Sequence, residues 1–207
     1  MRIIDISMTL SPDMVVYEGD PKVSIRRVKN FPKDNVILSQ ITMGLHSGTH
    51  VDAPAHFIRK GGSVDKIPLG FLIGKARVCN LTRVKGSIGE ADLKRCGVRR
   101  GEIILIKTKN SRLLGKKNFS RNFVALSEEA AEYLIQNRIK AVGIDYLSIE
   151  RFRSKGHRVH KKLLSKKVPI IEGLSLKNVK PGIYTLFCLP LRIVGTEAAP
   201  ARCILIG

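Results

Sequence analysis

Tryptophan is absent from this chain of 207 residues, aromatics make up only 5%, and 17 acidic side chains face 37 lysines and arginines. The formal charge of +20 favours anionic partners. Yet the basic residues are scattered, and neither a base-stacking surface nor a groove-reading motif accompanies them, which argues against a nucleic-acid-binding module. No apolar run approaches the roughly 20 residues that span a bilayer, so no membrane segment is expected. The start, Met1-Arg-Ile-Ile-Asp5, meets an acid where a secretory signal would be apolar. Cys79, Cys96, Cys188 and Cys203 form no Cys-x-x-Cys pair, and reduced, mostly buried thiols in a cytoplasmic protein are expected.

Histidine is also scarce, and its placement is the strongest signal in the chain. All five fall in two windows: His46, His50 and His56 in one, His157 and His160 in the other, with none from Phe57 to Gly156. Asp52 lies inside the first window. Imidazoles and a carboxylate so closely spaced suit a divalent cation that takes nitrogen and oxygen ligands. Gly48, Thr49, Val51 and Pro54 oppose a helix there. An extended chain puts the even positions 46, 50, 52 and 56 on one face, with odd positions such as Val51 and Phe57 turned mostly inward. Four residues of straight strand span about 13 Å, too far for His46 and His50 to share an ion comfortably, so a bend at Gly48 is expected.

The length suits one domain, residues 1–207, burying about 70% of its unfolded surface. Strands are expected at Ile3–Ile6, Lys22–Val28, Val36–Met43, Lys75–Leu81, Glu102–Thr108, Ala141–Asp145, Ile170–Leu174 and Ile183–Leu189. Ser87 with Glu90 offers a capping box for a short helix over Ala91–Cys96. Ser127 caps a second, with Glu128 and Glu129 opposing the dipole in its first turn. A third is expected over Ile149–Ser165, stopped by Pro169. Its basic run, Arg151 to Lys167, reads as a solvated face, the rival being a rim that attracts an anionic substrate. The fold class is α/β: a single-domain mixed sheet with flanking helices.

The segment His46-Ser-Gly-Thr-His-Val-Asp-Ala-Pro-Ala-His-Phe57 resembles the signature of the metal-dependent cyclase and kynurenine formamidase family, His-x-Gly-Thr-His-x-Asp-x-Pro-x-His. Asp5-Ile-Ser, Tyr17-Glu-Gly-Asp20, Gly143-Ile-Asp145 with Ser148, His160-Lys-Lys-Leu-Leu164, Pro169-Ile-Ile-Glu-Gly-Leu174 and the Ala-Pro-Ala-Arg near the end extend the likeness over the whole chain. The resemblance implies a swivelling β/β/α fold, a homodimer or homotetramer, and two divalent metal ions, zinc or sometimes manganese. It implies His46 and His50 on one ion, His160 on the other, and Asp52 and Glu172 bridging. His56 is implied as proton donor and acceptor.

Read from the residues alone, His56 is either a proton carrier or a third ligand. His157 reads as a surface residue, Glu172 as a ligand or an exposed edge carboxylate, and Asp145 as a cap or a supporting acceptor. The activity implied is arylformamidase-like hydrolysis of a carbon–nitrogen bond in a small molecule. A non-catalytic metal-binding relative and a basic nucleic-acid-binding protein are the rival readings. Bacterial kynurenine formamidases that this chain resembles carry a tryptophan where Tyr17 stands. Tyrosine, as the substrate-binding residue, offers a smaller face and a hydroxyl, which predicts hydrolysis of a small carbonyl–nitrogen bond with formylkynurenine a poor or secondary substrate.

Overall fold

Alternating side chains of one strand, Ile103–Lys107, feed two separate cores in the computed structural model, which describes residues 1–207. Ile103 and Leu105 join a cluster with Val51, Leu72, Ile171, Leu186 and Leu205; Ile104 and Ile106 join another with Leu93, Leu134 and Leu163. Each of these four fully buried side chains contributes about 1.5–3 kcal/mol.

In chain order the elements are β1 (Ile3–Asp5), β2 (Ser24–Lys29), β3 (Leu38–Thr42), β4 (His50–Asp52), β5 (Ile73–Asn80), β6 (Ser87–Ile88) and α1 (Glu90–Arg95). There follow β7 (Ile103–Lys107), β8 (Ala125–Leu126), α2 (Glu128–Gln136), β9 (Ala141–Ile144), α3 (Arg158–Ser165), β10 (Ile170–Glu172), β11 (Gly182–Pro190) and β12 (Ala198–Ile206). The main sheet runs β1-β12-β11-β5-β7-β9-β10-β4, and β4 pairs back onto β12, closing it into a barrel with β1 outside the ring. Pairings among β5, β7, β9 and β10 are parallel, whereas β4, β11, β12 and β1 pair antiparallel. One core fills the barrel; the other lies between its outer face and the three helices. This is the expected mixed-sheet α/β fold.

Ser127 caps α2 as expected, its hydroxyl accepting from the Ala130 amide at 3.1 Å. The cap of α1 differs. Ser87 belongs to β6, and the Asp92 carboxylate accepts from the Gly89 amide at 2.9 Å, so the box is shifted two residues along. The expected helix from Ile149 is corrected more strongly, since α3 begins only at Arg158. Arg153, Gly156 and His157 have φ of 53°, 81° and 50°, a left-handed path that no α-helix accommodates. The basic run is therefore part loop and part helix, exposed through Arg151, Arg153, Lys155, Arg158 and Lys161. The long strand β12 escaped the sequence reading because Pro200 and its alanines carry little β propensity. All four cysteines are free thiols, three of them buried. No helix is long and apolar enough to cross a membrane.

Candidate metal centre

Strand register builds the site. β4 and β10 pair antiparallel with His50 opposite Glu172 and Asp52 opposite Ile170. Register partners share a face. Val51 and Ile171 turn into the barrel, so His50, Asp52 and Glu172 emerge together on its outer face. There α3 delivers His160, which reaches Glu172 Oε1 at 3.3 Å with its Nε2. The exposures of His50, Asp52, Glu172 and His160 are 1%, 0%, 3% and 5%.

Each carboxylate divides its oxygens between His50 and His160, and Asp52 also faces His46. Asp52 Oδ1 lies 3.5 Å from His50 Nε2 and 3.0 Å from His46 Nδ1, and Oδ2 lies 4.0 Å from His160 Nε2. Glu172 Oε2 faces His50 Nε2 at 3.5 Å, while Oε1 faces His160 and accepts from the Ile149 amide at 2.7 Å. His50 Nδ1 donates to the Gly48 carbonyl at 2.9 Å, which leaves Nε2 as the nitrogen turned to the carboxylates. Yet His50 Nε2 and both Asp52 oxygens, all buried, make no hydrogen bond. Buried polar atoms without partners are costly, and a cation in the space between them would satisfy all three. Three sets have donor atoms within 4.8 Å of one another: His50, Asp52 and Glu172; His46, Asp52 and His56; and Glu150, His157 and His160. Such a donor set fits one or two divalent ions.

The protein's own charges also draw these side chains together. Burial lowers the His160 pKa, but bonds to Glu150 and Glu172 and the charge of Asp52 outweigh it and carry the value up to about 10. His46 behaves likewise, its burial overcome by the adjoining Asp52 carboxylate and by Glu172, and sits near 9. Burial pushes Asp52 up, but the imidazoles of His46, His50 and His56 outweigh it and hold the carboxyl below the usual range. Glu172 is also lowered, against burial and the Asp52 charge, by contacts with His160 and His50.

The expected bend exists: Gly48 has φ of 70° and turns the chain between His46 and β4. His56 departs from expectation. It is not on the extended strand but in a single 3-10 turn, Pro54–His56, because Pro54 opens that turn with its fixed φ. From there its ring lies against His46, tilted by 36° with centroids 4.2 Å apart. Burial first, and then the neighbouring imidazoles His46 and His160, hold its pKa down against the pull of Asp52. Phe57 is also not turned into the barrel; it packs on His157 and His160 at 4.7 and 4.8 Å. His157 is exposed, as expected of a surface residue. Asp145 is a supporting acceptor, taking bonds from the amides and hydroxyls of Thr108 and Ser111.

Tyr17 stands in an aromatic wall with Phe119 at 4.7 Å and Phe152 at 5.8 Å. Its loop is tied down by Glu18, which takes two bonds from Arg121, both 2.7 Å. Burial raises the Tyr17 pKa, with the Glu172 charge adding to it. Phe119, Phe152 and Glu150 were not singled out by the sequence. The two phenylalanines lie on loops with no periodicity, and Glu150 was read as part of a helix.

Fold and donor set together define a closed mixed-sheet protein with a candidate divalent-metal centre on the sheet's outer face. The family described as "Putative cyclase" matches residues 4–151, and the chain belongs to it. A kynurenine formamidase from Salinibacter ruber is 34% identical over 209 residues, covering 99% of this chain and 97% of that protein. Cyclase-like protein 3 of Arabidopsis thaliana is 38% identical over 219 residues, covering 99% of this chain and 79% of that protein. Among solved structures, a "predicted metal-dependent hydrolase" from Bacillus stearothermophilus superposes with a TM-score of 0.86 at 39% identity, covering 99% of this chain and 97% of that one.

Proposed function

We propose that this protein is a metal-dependent hydrolase that cleaves a carbon–nitrogen bond, amide, formamide or strained lactam, in an arylformamidase-like reaction. The observation that carries the reading is the pair Asp52 and Glu172, each dividing its oxygens between the His50 and His160 nitrogens, with three buried polar atoms left unpartnered. His46 and His50 would hold one ion and His160 the other, with Asp52 and Glu172 shared between them. Zn2+ suits these nitrogen and oxygen donors, and Mn2+ is the second candidate. The chemistry that divalent ions held there would supply is activation of water near neutral pH and polarisation of the substrate carbonyl.

The chain's own residues do the rest. His56, largely neutral near pH 7, takes a proton at one ring nitrogen and delivers it to the leaving nitrogen of the substrate. Its donor atom lies within 4.8 Å of those of His46 and Asp52, but its place on the turn beyond Pro54, off the strand that carries His50 and Asp52, supports that role over a third ligand. Tyr17, with Phe119 and Phe152, offers the substrate a flat apolar face, and the Tyr17 hydroxyl adds a hydrogen bond. Arg151 and Arg153, exposed on either side of Phe152, favour a substrate with an anionic group.

Self-association into a homodimer or homotetramer belongs to the same reading. Every residue of β2 and β3 is exposed, Ile25, Val28, Leu38 and Ile41 among them, and a two-stranded ribbon uncovered on both faces is barely stable alone. Sedimentation of the protein as a monomer at all concentrations would reject that part.

Metal analysis of zinc-reconstituted protein, followed by a panel of formamides, lactams and imides, tests the function. Two ions per chain and turnover of one substrate class are expected. Metal binding without turnover of any of them would favour a non-catalytic relative.

A further inference from the structure

Glu150 is 4% exposed and has no part in the roles assigned so far. Its Oε2 accepts from His160 Nδ1 at 2.7 Å, and its Oε1 accepts from the Ser154 hydroxyl at 2.7 Å and the Val159 amide at 3.1 Å. His157, at the N-cap of α3, makes no capping bond with its side chain. Glu150 thus supplies from the preceding loop the acceptor that the helix start lacks. One carboxylate fixes both the first turn of α3 and the ring that this turn carries.

We propose that Glu150 is the positioning residue of the His160 half of the centre. It holds Nδ1 as the protonated nitrogen and so presents Nε2 to the space between Asp52 and Glu172. The inference rests on the two-metal reading above. His50 is anchored in the same sense but by a neutral group, the Gly48 carbonyl. A carboxylate behind a ligating imidazole makes it a more basic ligand and fixes its direction; losing such a partner typically weakens metal binding about 10–100-fold. The two halves are therefore unequal: behind His160 stands a buried carboxylate hydrogen-bonded at 2.7 Å, whereas the carboxylate behind His46, Glu197, is partly exposed and 3.6 Å from its Nε2.

The donor atoms of Glu150, His157 and His160 also lie within 4.8 Å of one another, which raises the rival that they ligate an ion themselves. The Glu150 oxygens argue against this, since both are already engaged by protein donors, one of them by the Nδ1 atom that such an ion would need.

Metal-stripped wild type, Glu150→Gln, Ser154→Ala and His157→Ala are titrated with Zn2+ against a chromophoric chelator. Wild type, Ser154→Ala and His157→Ala should take two ions with the same pair of affinities. Glu150→Gln should keep one affinity and lose about 10–100-fold in the other. Two unchanged affinities in Glu150→Gln, or equal loss in both, would overturn the positioning role. A loss in His157→Ala matching that of Glu150→Gln would make the trio a metal site instead. A second measurement is independent of how the variants fold: long-range 1H–15N correlation spectra of zinc-loaded wild type should show His160 protonated at Nδ1 and metal-bound at Nε2. The reverse assignment would overturn the proposal. Wild type that binds no zinc would sink the two-metal reading itself, and Glu150's role with it.

Discussion

Gly173 lies against Gly48 so closely that a Cβ on Gly173 would stand 2.3 Å from the Gly48 carbonyl oxygen. That same oxygen anchors His50 Nδ1, and Gly173 follows the bridging-type carboxylate Glu172 directly. The Thr49 hydroxyl donates to the Gly173 carbonyl at 2.6 Å and locks the two segments together. Absence of a side chain at Gly173 is thus a condition for bringing His50 and Glu172 into one site.

Gly173→Ala should therefore damage both stability and metal binding. The residue has φ of 69°, so the new side chain meets backbone strain as well as the clash. A loss of about 2–4 kcal/mol in urea unfolding is expected, with weakened zinc binding even in protein that remains folded. A variant as stable as wild type with unchanged zinc affinity would show that the contact yields without cost.

Ligand and proton carrier should separate on mutation. Asp52→Ala is expected to lose both ions, because its two oxygens face different histidines. His56→Ala should retain both ions and lose about 10²–10⁴-fold in turnover. Elemental analysis beside steady-state kinetics reads both outcomes. If His56→Ala loses metal in step with activity, the side chain is a ligand; if Asp52→Ala keeps both ions, the bridging assignment is wrong.

Metal-free protein should become less stable as pH rises above neutral. His46 near 9 and His160 near 10 stand above the ordinary imidazole value of about 6.5. Their stabilising contribution is complete below about pH 6.5 and is lost as pH climbs through the folded values. Asp52 and Glu172, held low, act in the opposite direction: their contribution is present above about pH 4 and fades on acidification. A stability maximum between roughly pH 5 and 6.5 follows for the stripped protein. Zinc should abolish the alkaline decline, because the ion replaces the protons that leave. Urea midpoints measured against pH, with and without zinc, decide the point; a flat profile from pH 6 to 10 in stripped protein would contradict it.

Tyr17 should set the size of the substrate. On formylkynurenine, wild type is expected to be slower than on smaller amides and lactams, and Tyr17→Trp should narrow the difference by enlarging the stacking face. A wild-type preference for formylkynurenine that tryptophan does not improve would make Tyr17 neutral in substrate choice.

The histidine segment was legible because its information is local. Alternation along a pleat puts His50 and Asp52 on one face whatever lies around them, and Gly48 marks the bend without reference to any partner. Ser127 likewise announces α2 through bonds within one helical turn. Most strands of the barrel, β12 excepted, were readable as local runs of β-branched and apolar residues. Family likeness, rather than spacing, brought His160 and Glu172 to notice.

Tertiary structure alone decided where those residues meet. The return of β12 onto both β11 and β4 closes the barrel, and no propensity in Ala198–Ile206 specifies two partners at once. The left-handed turns at Arg153, Gly156 and His157 cut short a helix that the sequence favours further upstream. They leave Glu150 in a buried loop, where its carboxylate finds His160 Nδ1. Tyr17 reaches Phe119 and Phe152 only across loops. Periodicity is a property of neighbouring residues, so a sequence carries it openly. The pairing of distant strands and the burial of one carboxylate against one imidazole depend on the whole chain having closed around them.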